Sequence, residues 1–320
     1  MVEPANFLDW DSQLKKLQEH YNISIQGIET AVRTIKKYSY YHLIEKYQDS
    51  LRKASDSDSF IDGISIETLG VIQMLENRLA SEILQAIISI EKNLKSVFQY
   101  ELANQFGLLE EEYLNPIHYS KKGQLTKQVL HTLRHKNQHS KNVSKTLLTY
   151  RRTGDIPPWI LVENISFGQF NCWLQICSTD IKQAVMKDFF LPSSINRETL
   201  TAFQNTINYL IDFRNGLAHG ESIGQIRSKT SLKLAYIRSF YSETILSDEE
   251  FNRGYGQQDF FGLLLVIGTL LKQSERQIFK DQLVNLLNIF DSLLPINEEP
   301  MRRILGQIPI NIMERFEKII

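Results

Sequence analysis

The chain is poor in residues that break helices: its 320 positions hold 15 glycines and 8 prolines. Strand-like alternation is scarce as well, while apolar residues recur every three to four positions, so the expected fold class is all-α. Only two cysteines occur, Cys172 and Cys177, without a Cys-x-x-Cys arrangement. That excludes a disulfide scaffold and reads as a pair of reduced core thiols in a cytoplasmic protein. Long hydrophobic runs are missing. The most apolar stretch runs only from Phe260 to Leu271, well short of the ~20 residues that span a bilayer. It reads as a buried core helix, and no membrane partner is expected. The opening stretch, MVEPANFLDWDSQLKK, has acids early and no apolar run, unlike a signal peptide. A net charge of −1 gives no global pull toward nucleic acid. No His/Cys/Asp/Glu cluster has ligand spacing, so neither metal nor cofactor is expected.

What is present is ordinary globular composition, 42% hydrophobic and 23% charged, in a chain long enough for a sizeable core. The pattern divides into an N-terminal helical segment (1–60), a central core (61–231) with a basic insertion at about 120–152, and a C-terminal helical segment (232–320). One or two helices are expected up to Arg52, then a linker over Lys53–Gly63 by composition. A long helix is expected from Ser65 to Gln105, and another over Asn196–Leu217. Pro157 and Pro158 mark a break before a new helix. Tyr40, Ile44 and Tyr47 share one helical face, which favours packing over base stacking for this tyrosine-rich stretch. Trp159 and Phe167 are core candidates, and Glu163 is left to local pairing.

Two charges interrupt apolar stripes. Phe203, Ile207, Leu210, Arg214 and Leu217 fall on one helical face, and so do Leu84, Ile87, Glu91, Leu94 and Phe98. A charge facing a core needs a partner or a wet cavity. One reading is that the two helices pack and Glu91 holds Arg214 in an ion pair; whether such a pair is purely structural or serves chemistry stays open.

Arg214 opens the stretch RNGLAH, with Asn215 next and His219 at its end. An arginine forks onto phosphate oxygens and an imidazole titrates near neutral pH, so the residue types suit phosphoryl chemistry. On an unbroken helix, residues five apart point roughly 140° away from each other. Two arrangements bring them together: Gly216 loosens the turn, or two copies of the motif meet in a dimer. Asn215 reads either as a helix-end polar residue or as an orienting group. A second match to the same spacing is Arg134 with His139.

Residues 120–152 hold nine cations and no Asp or Glu. They are Lys121, Lys122, Lys127, Arg134, Lys136, Lys141, Lys145, Arg151 and Arg152, with three histidines among them, including His139. Subtracting those nine charges from −1 leaves −10 for the remainder. Such asymmetry is the footprint of a polyanion site, with a solvated basic surface as the plain alternative.

Four segments in order resemble a known family. YSYYHLIEKYQDSL is similar to the tyrosine-rich opening of abortive-infection (Abi) D/F-type proteins, and IEKNLKSVFQYELANQFG to their long helix. IPPWILVENISFGQF resembles their Pro-Trp-x-x-x-Glu-x-x-x-Phe-Gly segment, and LIDFRNGLAHGE their Arg-Asn-x-x-Ala-His segment. Together they cover about residues 36–222, and RRILGQIP extends the likeness faintly into the C-terminal third. RNGLAH also fits the Arg-x4–6-His motif of HEPN domains. Two features depart from the family: no further basic residue follows His219 closely, and no tryptophan stands near the C-terminus.

The resemblance implies a HEPN-type helical bundle with additional N- and C-terminal helices and a homodimer. It implies RNA as ligand, a small structured noncoding RNA among the candidates, and a role in phage defence. It also implies metal-independent RNA cleavage leaving a 2′,3′-cyclic phosphate, with Arg214, Asn215 and His219 as the site. Two other functions fit the same resemblance: a catalytically inactive RNA-binding scaffold in a defence ribonucleoprotein, and a HEPN toxin regulated by a nucleotidyltransferase partner.

Overall fold

The computed structural model describes residues 7–119, 123–189, 196–293, 299–306, 308–309 and 311–320. Seventeen α-helices and no strand occur among them, as the shortage of glycine, proline and alternation predicts. The N-terminal part holds α1 (Trp10–Glu19), α2 (Ile28–Tyr38) and α3 (Tyr40–Leu51). That is three helices rather than one or two, because Ser39, at φ 64°, breaks the path between α2 and α3. The expected linker is non-helical and largely exposed, pinned at Phe60, which is buried and whose N–H donates to the Tyr21 carbonyl at 2.8 Å.

The organising element is α4 (Ile66–Phe106), 41 residues long and therefore about 60 Å from end to end. Ser65 caps its start by accepting from the Thr68 N–H, and Gly107, at φ 84°, ends it. Its mid-length stripe, including Ile83, Ile87, Ile90, Leu94 and Phe98, is buried. The chain then passes α5 (Glu110–Tyr113), α6 (Gln124–Gln138), α7 (Lys145–Thr153), α8 (Pro158–Glu163), α9 (Phe167–Ile176) and α10 (Thr179–Lys187). Pro158 occupies the first position of α8, where its missing N–H costs nothing. α9 opens with a reciprocal cap between Ser166 and Gln169.

Next comes α11 (Arg197–Ala218), capped by Asn196. The remainder is α12 (Leu234–Arg238), α13 (Asp248–Asn252), α14 (Phe260–Leu270), α15 (Gln273–Leu293), α16 (Glu299–Ile304) and α17 (Ile312–Ile319). α2, α8, α10, α11, α14 and α15 all pack on α4. Apolar all round, α14 is buried at every residue. Buried side chains from 1–60, 61–231 and 232–320 join one apolar cluster.

Asp259 caps α14 from inside that core. It accepts from the Gly256 N–H at 3.0 Å and the Gly262 N–H at 2.8 Å while only 2% exposed. Burial pushes its carboxyl up to about 6 despite those bonds. The folded state thus holds this proton more tightly than the unfolded chain, so stability falls as pH rises from about 4 to about 6. Asp259→Asn keeps a capping oxygen and removes the titration. Urea unfolding is expected to show the variant gaining on wild type by on the order of 2 kcal/mol between pH 4 and pH 6.5. A difference independent of pH would contradict this.

Candidate functional site

The motif sits where α11 stops. Arg214 and Asn215 lie in the last two turns and His219 is the C-cap, still at right-handed helical angles (φ −88°, ψ −1°). The Glu221 N–H donates to the Gly216 carbonyl at 3.0 Å and the Gly220 N–H to the Leu217 carbonyl at 3.1 Å, with Gly220 at φ 78°. This Schellman closure needs a left-handed residue after the cap, which glycine supplies without strain. Helix therefore continues unbroken through the motif. Gly216 does not loosen it: a Cβ there would lie 2.9 Å from the Ile226 side chain, so the glycine admits Ile226. Arg214 and His219 thus diverge by roughly 140° on one copy. His219 and Asn215 are exposed, Arg214 is half-buried, and its Nη1 donates to Asn215 Oδ1 at 3.2 Å.

The loop leaving the motif is fixed by a residue the sequence reading passed over. Glu76 of α4 is 1% exposed. Its Oε1 accepts from the Ser222 hydroxyl and the Ile223 N–H, each at 2.8 Å. Its Oε2 faces Lys46 Nζ at 3.0 Å and accepts from the Tyr47 hydroxyl at 2.6 Å. A carboxylate offers about four lone-pair sites, and here four donors fill them. Burial, and next the Glu76 charge, push the Tyr47 hydroxyl far up its scale and keep it a donor. The signal was present: Leu69, Ile72, Glu76, Leu79 and Ile83 form an apolar stripe with one acid in it, the same anomaly that singled out Glu91.

Glu91 itself pairs with Lys95 at 2.8 Å, not with Arg214. The two helices pack as expected, but the i,i+4 spacing delivers a cation from Glu91's own helix. Lys95 Nζ also donates to the Ile165 carbonyl at 2.8 Å, which ties α4 to the turn between α8 and α9. Arg214, only half-buried, solves its charge problem at the surface.

The basic stretch becomes α6, a short loop and α7. Lys121 and Lys122 lie outside the described residues. Three of the remaining cations brace the arm itself. Arg134 Nη2 donates to the Leu114 carbonyl at 2.7 Å, and Lys136 Nζ to the Asn142 carbonyl at 3.0 Å. Arg151 donates through Nε to the Asn137 carbonyl and through Nη2 to the Lys136 carbonyl, the latter at 2.6 Å. Lys127, Lys141, Lys145 and Arg152 are exposed, as are His131, His135 and His139, which stand four apart along α6. Arg134 and His139 therefore do different jobs, one as a brace and one in the exposed stripe. The arm is anchored through Asn137, whose amide donates to the Tyr113 hydroxyl at 3.2 Å. From there a buried chain runs by Tyr119 to Trp173, whose ring meets Phe98 of α4 edge-on at 5.2 Å.

Among the described residues, no group of three or more His, Cys, Asp or Glu side chains is placed to hold a metal. No described helix is long and apolar enough to cross a membrane. The sequence profile of a family described as Abi-like protein matches residues 12–223. That span includes Lys46, Tyr47, Glu76, the motif and its Ser222–Ile223 anchor, and ends before the C-terminal third. No curated protein and no solved structure matches the chain.

Glu76→Ala strands the buried Lys46 ammonium, and a cost of about 3–5 kcal/mol is expected in urea unfolding. Replacing both partners by apolar side chains, Lys46→Met with Glu76→Leu, should recover part of that loss, because no charge is then left alone. If the double variant proves less stable than Glu76→Ala, the ion pair is not what the single variant lost.

Proposed function

The chain belongs to the Abi-like protein family and carries an abortive-infection-related function; within that role we propose that it binds RNA and cuts it at the end of α11. The observation that carries this reading is the surface presentation of Arg214, Asn215 and His219 on a helix end whose exit loop is bonded to a buried carboxylate. A preorganised arginine and an exposed imidazole are the groups that phosphodiester transesterification requires.

One copy separates them by roughly 140°, so the competent site is composite, with two motifs facing each other across a homodimer axis. The ribose 2′-hydroxyl attacks the adjacent phosphorus as His219 of one protomer takes its proton. His219 of the partner subunit gives a proton to the departing 5′-oxygen. Both arginines offset charge on the phosphorane, and Asn215, accepting from Arg214 Nη1, holds one guanidinium in place. The products are a 2′,3′-cyclic phosphate and a 5′-hydroxyl end. This path uses protein groups alone, so cleavage should survive EDTA. Lys127, Lys141, Lys145 and Arg152, with His139 among them, offer the exposed surface for the RNA backbone.

His219→Ala should lower cleavage by about 10²–10⁴-fold while leaving the melting temperature and RNA affinity unchanged, because it removes proton transfer alone. Arg214→Ala should also abolish cleavage. Mixed dimers carrying one His219→Ala chain should fall well below half of wild-type activity, since each composite site needs both imidazoles. Full activity in the His219→Ala protein sinks the assignment. Tight RNA binding without any cleavage by wild type would instead make the chain a binding scaffold, or a toxin that needs activation by a partner.

A further inference from the structure

The face of α11 that carries His219 is polar along much of its length. Gln204, Asn208, Asp212, Asn215 and His219 are spaced four, four, three and four apart, which draws one stripe on a helix. Arg214 lies off it. The stripe holds three amides, one acid and no lysine or arginine. Gln204, Asn208 and Asp212 are half-buried, and Asn215 and His219 are exposed. None of the five is a large apolar side chain of the kind that fills the core of a protein interface. None before His219 is a cation that could grip phosphate.

A clasp with α9 sets the polarity of two of these amides. Asn171 of α9 is 8% exposed. Its Oδ1 accepts from Gln204 Nε2, and its Nδ2 donates to Asn208 Oδ1 at 2.6 Å. Gln204 thereby commits its donor end to the clasp and Asn208 its acceptor end. Among the described residues nothing else engages either side chain. Gln204 therefore keeps an unused acceptor, Oε1, and Asn208 keeps unused N–H donors. An acceptor and a donor one helical turn apart, both held by a buried third amide, are positioned before any ligand arrives, which lowers the entropic cost of binding one.

We propose that Gln204 and Asn208 read one base of a single-stranded RNA and so help to set where it is cut; this rests on the RNA-cleaving reading above. Neutral donors and acceptors are what base edges present, and in single-stranded RNA those edges are open to asparagine and glutamine. Bases differ in the order in which their edges place donors and acceptors, so a fixed acceptor–donor pair favours one over the others. Asn208 precedes His219 by eleven residues, about 16 Å along the helix. The base it reads is thus not the one at the scissile bond but one a few nucleotides along. α9 packs on α6 of the basic arm as well as on α11, so a strand running from the arm to His219 has this seam on its path.

The test measures binding of labelled, short oligo(A), oligo(C) and oligo(U) ribonucleotides to the full chain carrying His219→Ala, which keeps the ligands intact. One of the three should bind at least about fivefold tighter than the others. Adding Asn208→Ala should remove that preference by weakening the favoured ligand alone, and Gln204→Ala should do the same. The salt dependence should not change, because no phosphate contact is lost. A clasp that only joins two helices would lower the melting temperature and leave the ranking of the three as it was, which overturns the proposal. Equal binding of all three before either substitution overturns it too. So does a halved mass in light scattering for Asn208→Ala, since the stripe would then face a second copy of the chain. Gln204→Ala decides the matter if Asn208→Ala does not fold. If no oligoribonucleotide binds, the RNA reading falls and takes this inference with it; if they bind and the ranking survives both substitutions, only this inference falls.

Discussion

The Glu76 carboxylate is buried with both oxygens filled, Oε2 by Lys46 and Tyr47 and Oε1 by Ser222 and the Ile223 amide. An ionised carboxylate in an apolar core is tolerable only when paired and fully hydrogen-bonded. Its partners come from two places far apart in sequence, α3 and the loop that leaves α11. Docking of the tyrosine-rich N-terminal helix and fixing of the motif's exit loop are therefore one event. From Ile223 the constraint passes on: Ile226 packs against Gly216, and Gly224 meets the backbone of Ile304. The end of α11 is thus gripped from the long helix on one side and from the C-terminal helices on the other.

Periodicity and punctuation made the scaffold readable in advance. The long helix, the motif helix and the break at Pro157–Pro158 lie within a residue or so of their expected bounds, because caps at Ser65 and Asn196 and a glycine stop at Gly220 are local signals. The buried character of α14 followed from its uniform apolarity. Partners across the core were not readable in the same way. A stripe says which face a residue occupies and nothing of what stands opposite, so Glu91 was expected to meet Arg214 and meets Lys95 instead. Three helices replaced one or two at the N-terminus because a single residue, Ser39, takes an unusual angle.

Charge counting has a similar limit. Nine cations in 33 residues promise a polyanion surface, yet Arg134 is bonded to the Leu114 carbonyl at the end of α5, and Lys136 and Arg151 to carbonyls within the α6–α7 arm. Lys127, Lys141, Lys145 and Arg152 remain exposed, as do the three histidines. Composition thus counts the cations of the arm without telling which of them the fold spends on its own carbonyls.

The grip of Glu76 on the motif's exit loop is tested most directly by native-state hydrogen exchange at the Ile223 amide. This N–H lies outside any helix, and its acceptor is a side chain rather than the backbone ladder. It is predicted to exchange only through global unfolding, as slowly as the core amides of α4. Exchange at the rate of an exposed loop amide would show that the loop opens independently of Glu76, and the account of a preformed motif would be wrong.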